Sequence, residues 1–239
     1  MNSEKSTGLI AIPVYNEANN LQSVLDKLIA VFPRENLLFI DDGSSDTSRS
    51  ILEQAAVPFV SHPVNLGYVD ALRTAITAAR QQSVDFVAFI DSDGQHRIED
   101  LQRIIAEFQR TKADMILGSR YRNREHEKTT MRSAGTRVFS WLTSQLAGVE
   151  VSDVTCGLKL ISSRFFSPTL NLLAEDMHAE CIIGLSRAGA RIVEIPITVE
   201  PRQTGTSMYH PIKAILYPTR TLLCVFINML FKPQLDKPE

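Results

Sequence analysis

"VDFVAFIDSDGQHRIEDLQRIIAEF", residues 84–108, carries three signals in succession. An apolar run ends on Asp91, a polar cluster of Asp93, Gly94, Gln95 and His96 follows, and Ile98, Leu101, Ile104, Ile105 and Phe108 then keep helical spacing. The unbroken run reads as a strand buried on both faces, and the pattern after it as an amphipathic helix. The same order recurs upstream. "GLIAIP", "NLLFID" and "VPFV" read as buried strands; Leu21, Val24, Leu25, Leu28 and Ile29, and again Val69, Leu72, Ile76 and Ala79, as helix faces. "DMILGS", residues 114–119, adds a further strand. Strand alternating with helix implies an α/β fold: a mostly parallel sheet covered by helices on both faces. Ligands of such sheets sit beyond the carboxyl ends of the strands. "PVYNE", "DDGSSD" and "DSDGQH" occupy three of those ends.

Bulk properties narrow the class. At 239 residues with 44% hydrophobic and 22% charged residues, the chain fits one large soluble domain with at most a small appendage. A net charge of −2 gives no general attraction to nucleic acid. Cys156, Cys181 and Cys224 form neither a metal-ligand spacing nor a disulfide framework, as suits a reducing cytosol. The start, "MNSEKSTGLIAIPVYNE", lacks the features of a secretory signal, so the functional face is expected to be cytoplasmic.

The second half changes character. "RYRNREHEKTTMR", residues 120–132, has no apolar periodicity and carries five Arg or Lys, as a surface loop that contacts substrate would, or as a solvated charge run. Residues 137–148 and 174–189 read as helices ending at Gly148 and Gly189. "RIVEIPITVE", residues 191–200, is the last strand, with Val193, Ile195, Ile197 and Val199 alternating. Residues 212–231 are almost wholly apolar, but Lys213, Arg220, Thr221 and Asn228 fall on one stripe of a helix. Pro218 and Arg220 weaken a spanning role, which takes about 20 mostly apolar residues. The segment fits a helix lying at a membrane interface or on a membrane partner, the plainer reading being a core helix. The expected division is 1–211 as the domain, 212–232 as an amphipathic C-terminal helix and 233–239 as a polar tail.

Asp91 and Asp93 pose the chemical question. In an extended segment residues two apart share a side, so the pair with Gln95 would offer hard oxygen donors suited to Mg²⁺ or Mn²⁺ completed by phosphate and water. A calcium EF-hand loop is excluded, because the glycine comes fourth, at Gly94. By itself the pair favours an ordinary turn. Two further strand ends shift the balance: Asp42 can accept hydrogen bonds from a base or ribose, and Tyr15 and Glu17 can stack and bind hydroxyls. Asp46 or Ser45 has the plainer role of capping the next helix.

"IPVYNEANNL", "FIDDGSSDTS", "NLGYVDAL", "FIDSDGQH", "LGSRY" and "DVTCGLKL" together resemble the family 2 glycosyltransferases of GT-A fold, a Rossmann-like architecture. The narrower likeness is to dolichyl-phosphate mannose synthase and its bacterial polyprenyl-phosphate relatives, over about residues 9–220. The resemblance implies that Pro13, Tyr15, Glu17, Ile40 and Asp42 hold the nucleoside, with Ser92 alongside. It implies Asp91, Asp93 and Gln95 as metal ligands and Arg120, Arg132 and Arg202 as grips on phosphate. Asp93, Arg120 and Glu180 would carry the catalysis, Glu180 beside the acceptor. The implied reaction is an inverting, metal-dependent hexosyl transfer from a GDP- or UDP-sugar to undecaprenyl or dolichyl phosphate.

A lipid phosphate is already anionic and needs no strong base, whereas a saccharide hydroxyl would. A family 2 enzyme acting on a polysaccharide hydroxyl is one alternative, and a silent sugar-nucleotide-binding subunit of a membrane complex is another. Plainer roles are open at single positions: Arg202 paired with Glu200, Glu180 facing solvent, and Trp141 as core or membrane-facing apolar area. His62 is expected to order the loop into "NLGY", and His96 to be a turn or packing residue. The likeness departs in two places. Threonines at 204 and 206 stand where relatives often carry a lysine, and relatives often continue into membrane helices, whereas here one amphipathic stretch is seen. Peripheral attachment to the inner face of the membrane, directly or through a small membrane protein, is the expectation.

Overall fold

The computed structural model describes residues 7–122, 131–172 and 178–201, with side chains left out of account over 131–137. The expectations placed on Arg202, on 123–130, on the 212–232 helix and on the 233–239 tail lie outside the described residues, as does the side chain of Arg132.

Seven strands form one sheet: β1 (Gly8–Val14), β2 (Leu37–Asp41), β3 (Phe59–Ser61), β4 (Phe86–Phe89), β5 (Met115–Ser119), β6 (Lys159–Ser162) and β7 (Ile192–Pro196), ordered β3-β2-β1-β4-β6-β5-β7. Helices α1 (Ala18–Val31), α2 (Ser48–Ala55), α3 (Tyr68–Gln81), α4 (Ile98–Thr111), α5 (Met131–Ala147), α6 (Phe166–Asn171) and α7 (Ala179–Arg187) connect them. The period-two alternation of the strands divides the core. Leu9 and Ala11 of β1 join α3, α5, α6 and α7 on one face, while Ile10, Ile12 and Val14 join α1, α2 and α4 on the other. Leu21, Val24, Leu25 and Leu28 of α1 are at most 4% exposed, each contributing about 1.5–3 kcal/mol by its burial.

Three elements differ from the expectation. Residues 159–162 form an additional strand, β6, which runs antiparallel to both β4 and β5. Four residues opened by a lysine carry no periodic signal, so pattern reading passes over them. Its reversed direction puts its leading end, Lys159, at the same edge as the carboxyl ends of β4 and β5. In β7 the buried residue is Glu194, while Val193 and Ile195 are half-buried. The helix expected at 137–148 begins earlier, at Met131, inside the stretch read as a loop.

Candidate active site

The carboxyl edge of β1 and β2 is zipped shut. Asn16, in the left-handed region at φ 54°, accepts Ser45 N–H at 2.8 Å and Asp46 N–H at 3.3 Å through Oδ1. Asp46 accepts Ala18 N–H and Ser48 N–H, and Ser48 Oγ accepts Glu17 N–H. Burial opposes ionisation of Asp46, but these donors outweigh it and hold its carboxyl below the ordinary value. The N-cap of α2 is Thr47, without a side-chain cap bond, so neither Asp46 nor Ser45 holds the capping position expected of them; Asp46 acts one residue earlier, on the N–H of Ser48. Asp42 is 3% exposed; its oxygens accept Leu66 N–H and Gly67 N–H at 2.9 Å and meet His62 Nδ1 at 2.7 Å. His62 reaches Thr74 Oγ1 with its other nitrogen, so it orders the loop before α3 as expected. Gly43, at φ 66°, lies so close to this loop that a Cβ would strike the backbone of Val64 and Asn65.

The acid turn follows β4. The strand stops at Phe89, and Ser92 and Asp93 lie in a turn, so the extended geometry expected to align the carboxylates does not hold there. Gly94 at φ 76° and the bond from Gln95 N–H to Asp93 Oδ1, 3.0 Å, reverse the chain instead. Ser92 is 4% exposed and donates to Pro13 O at 2.7 Å, tying the turn to β1. The Gln95 side-chain amide donates to Glu200 O at 3.2 Å, a bond that does not use its oxygen. Asp91 accepts Tyr68 Oη–H on Oδ1 and meets His96 Nε2 on Oδ2, both at 3.3 Å. A Cβ on Gly157 would land on the Asp91 carboxylate, so any larger residue here has to displace that acid. Burial opposes the charge on Asp91, but His96, Lys159 and His178 outweigh it and hold the carboxyl below its ordinary value.

Beside the turn, Arg120 follows β5 and is gripped by Asp153, which is fully buried. Nε donates to Oδ2 at 2.6 Å and Nη2 to Oδ1 at 2.8 Å, with Thr155 Oγ1 also 2.8 Å from Nη2. Burial lowers the guanidinium's affinity for its proton, but the Asp153 carboxylate more than restores it, so Arg120 is permanently charged. Glu194 accepts Ser152 N–H and Asp153 N–H at 2.9 Å, which fixes the Asp153 loop. Lys159, 2% exposed, has its Nζ 3.0 Å from His178 Nδ1. Burial pushes the Cys156 thiol up, leaving it neutral and no nucleophile.

The edge therefore brings together Asp91, Ser92, Asp93, Gln95 and Arg120, with Pro13, Tyr15, Glu17 and Asp42 at the neighbouring strand ends. Tyr15 and Glu17 are half-buried, and Glu17 accepts the Asn20 side-chain amide at 2.7 Å. Ile40 is fully buried in the core, and Asp42 is committed to the loop, so neither offers its side chain at the surface. Glu180 lies in the first turn of α7 at 2% exposure, not facing solvent. Trp141 is 63% exposed. Sequence reasoning missed Asp153, Gly157, Lys159, Tyr68 and His178; the quoted "DVTCGLKL" contained three of them, but no spacing rule gave them a role. Among the described residues, no three His, Cys, Asp or Glu side chains form a closed metal cage. The oxygen donors of Asp91, Asp93 and Gln95 fit a hard cation that takes its remaining ligands from water and a second molecule.

Comparison with known proteins shows the family and the fold. The model of glycosyl transferase family 2 matches residues 9–168. The undecaprenyl-phosphate mannosyltransferase of Micrococcus luteus is 28% identical over 83% of this chain and 86% of its own length. The UDP-N-acetylglucosamine–dolichyl-phosphate N-acetylglucosaminyltransferase of Methanococcus voltae is 25% identical over 79% of this chain and 83% of its own. Among solved structures, glucosyl-3-phosphoglycerate synthase from Mycobacterium tuberculosis, in complex with Mn²⁺ and UDP-glucose, superimposes with a TM-score of 0.65. It is 17% identical and covers 93% of this chain and 78% of its own. The shared architecture is the GT-A fold.

Proposed function

The chain belongs to glycosyl transferase family 2, and from that premise we propose that it moves a hexose from a nucleotide sugar to a polyprenyl phosphate. The relatives from M. luteus and M. voltae are named for polyprenyl-phosphate acceptors, which supports the acceptor class. The observation that carries the reading is one edge of one sheet holding the acid turn after β4 beside the clamped Arg120 after β5.

Asp91, Asp93 and Gln95 are the residues that would hold Mg²⁺ or Mn²⁺, as Mn²⁺ accompanies UDP-glucose in the neighbouring fold. Such an ion would neutralise charge building on the departing diphosphate. The chain's own groups do the rest. Asp153 and Thr155 engage Nε and Nη2 of Arg120, so Nη1 is the donor it can turn toward a phosphate. A rigidly held guanidinium can bring a second anion to the donor without reorganising at the moment of reaction. The lipid phosphate attacks directly, which inverts the anomeric centre and requires no general base. Pro13, Tyr15 and Glu17 bound the nucleoside end, and Arg132 and Arg202 complete the phosphate contacts. Glu180 supports the acceptor side from within the fold. Among the described residues no helix is long and apolar enough to cross a membrane. Residues 212–232 provide the peripheral attachment; a protein that fails to float with anionic liposomes refutes that part.

A screen of labelled GDP- and UDP-sugars with undecaprenyl or dolichyl phosphate and Mn²⁺ tests the reaction. A sugar–phospholipid product is expected, and Asp93→Ala should reduce its formation by roughly 10²–10³-fold with the melting temperature unchanged. Undiminished transfer by Asp93→Ala in the presence of EDTA refutes the metal role. Sugar found only on a saccharide hydroxyl refutes the acceptor.

A further inference from the structure

Lys159 has no part in the transfer as described, yet it occupies the middle of the site. It opens β6 between Phe89 of β4 and Leu117 of β5 and is one of the largest fully buried side chains. A lysine is almost never enclosed this far without partners that require it. Its Nζ is 3.0 Å from His178 Nδ1; the His178 ring stacks on Tyr68 with centroids 6.1 Å apart and planes inclined by 25°; and Tyr68 Oη donates to Asp91 Oδ1 at 3.3 Å. A wall of two stacked rings thus links a buried ammonium to the first carboxylate of the acid turn.

We propose that Lys159 is a positioning residue for the donor site: a resident counter-charge that keeps the acid turn from taking a divalent cation until a nucleotide diphosphate arrives with it. The inference rests on Asp91 and Asp93 being the metal-holding pair. Two carboxylates alone would present a charge of −2 to a cation. Lys159 reduces the negative charge that the pair presents, and its ammonium opposes the approach of a dication. A diphosphate reverses the balance, because it brings negative charge that the lysine attracts. Cation and donor are then captured together, and the turn is not blocked by an ion bound in advance.

Mn²⁺ binding to the full chain, followed by electron paramagnetic resonance and calorimetry with and without UDP or GDP, tests this. Without nucleotide, wild type should bind Mn²⁺ only weakly. Lys159→Met should bind it about tenfold more tightly, and Lys159→Arg, which retains the charge, as wild type does. The tightening that nucleotide confers should shrink by about the same factor in Lys159→Met. Damaged packing does not produce a gain in affinity, so the readout separates charge from structure. Unchanged or weaker Mn²⁺ binding by Lys159→Met, with Asp91→Asn still abolishing it, overturns the counter-charge and leaves the metal site standing. If Lys159→Met does not fold, wild type alone decides: micromolar Mn²⁺ affinity without nucleotide overturns the proposal, and millimolar affinity that nucleotide sharpens supports it. Absence of Mn²⁺ binding even with nucleotide removes the metal reading and the inference with it.

Discussion

At the β1–β2 end of the sheet edge, Asn16, Asp42 and Asp46 commit their oxygens to backbone N–H groups of neighbouring loops. At the β4–β6–β5 end, Asp91, Arg120, Asp153 and Lys159 are arranged charge against charge, and Asp153 and Lys159 are buried while doing so. The first region resembles a finished wall, in which the carboxylates of Asp42 and Asp46 are held by hydrogen-bond donors of the fold itself. The second retains charges that a ligand can rearrange. Preorganised charge is suited to stabilising an anion that departs, and a saturated hydrogen-bond network to holding a loop in one shape.

If that contrast is right, substitutions at the two ends should fail in different ways. The largest effect is expected from Asp91→Asn, with transfer falling by about 10³-fold, roughly 4 kcal/mol of barrier, while the urea midpoint moves little. Asp42→Ala should do the opposite. It strands the donors of Leu66, Gly67 and His62 and should cost about 3 kcal/mol in urea unfolding. An Asp42→Ala protein as stable as wild type but with a raised donor KM would break the contrast and assign Asp42 to the nucleotide. Gly43→Ala should cost about 1–2 kcal/mol, since its left-handed backbone and the Val64 backbone both resist a methyl group.

Acid titration gives a smaller signal. The Asp46 carboxyl is depressed in the fold, so its contribution is present above the unfolded value of 3.8 and is lost as pH falls through the lower folded value. Wild type and Asp46→Asn should therefore differ in unfolding free energy at neutral pH and converge as the pH falls from 3.8 through the lower folded value. The smallest effect belongs to Arg49→Ala. It removes an exposed pair with Glu53 that is worth at most about 0.5 kcal/mol, within the error of chemical denaturation.

Much of the scaffold was legible beforehand because its signals are local. The apolar runs of β1, β2, β4 and β5 announce strands buried on both faces, and Ile98, Leu101, Ile104 and Phe108 are buried as the spacing of α4 requires. The polar strand ends were visible for the same reason. Three features were not. β6 is four residues long and begins with a charge, Glu194 is buried in a strand whose apolar residues alternate around it, and the turn at Ser92–Asp93 replaces an extended geometry. Ile40, assigned to the nucleotide by resemblance, is a core side chain in the fold.

Composition and periodicity by themselves determined an α/β domain with acids at its strand ends, since burial on two faces and helical amphipathicity are written in neighbouring residues. Only tertiary structure decided which charges meet. Arg120 finds Asp153 33 residues away, and Lys159 finds His178 19 residues away, because an antiparallel strand wedged between β4 and β5 carries its leading end to their carboxyl edge. Pairings of that kind follow from strand order and direction, and neither is encoded in any short stretch of chain.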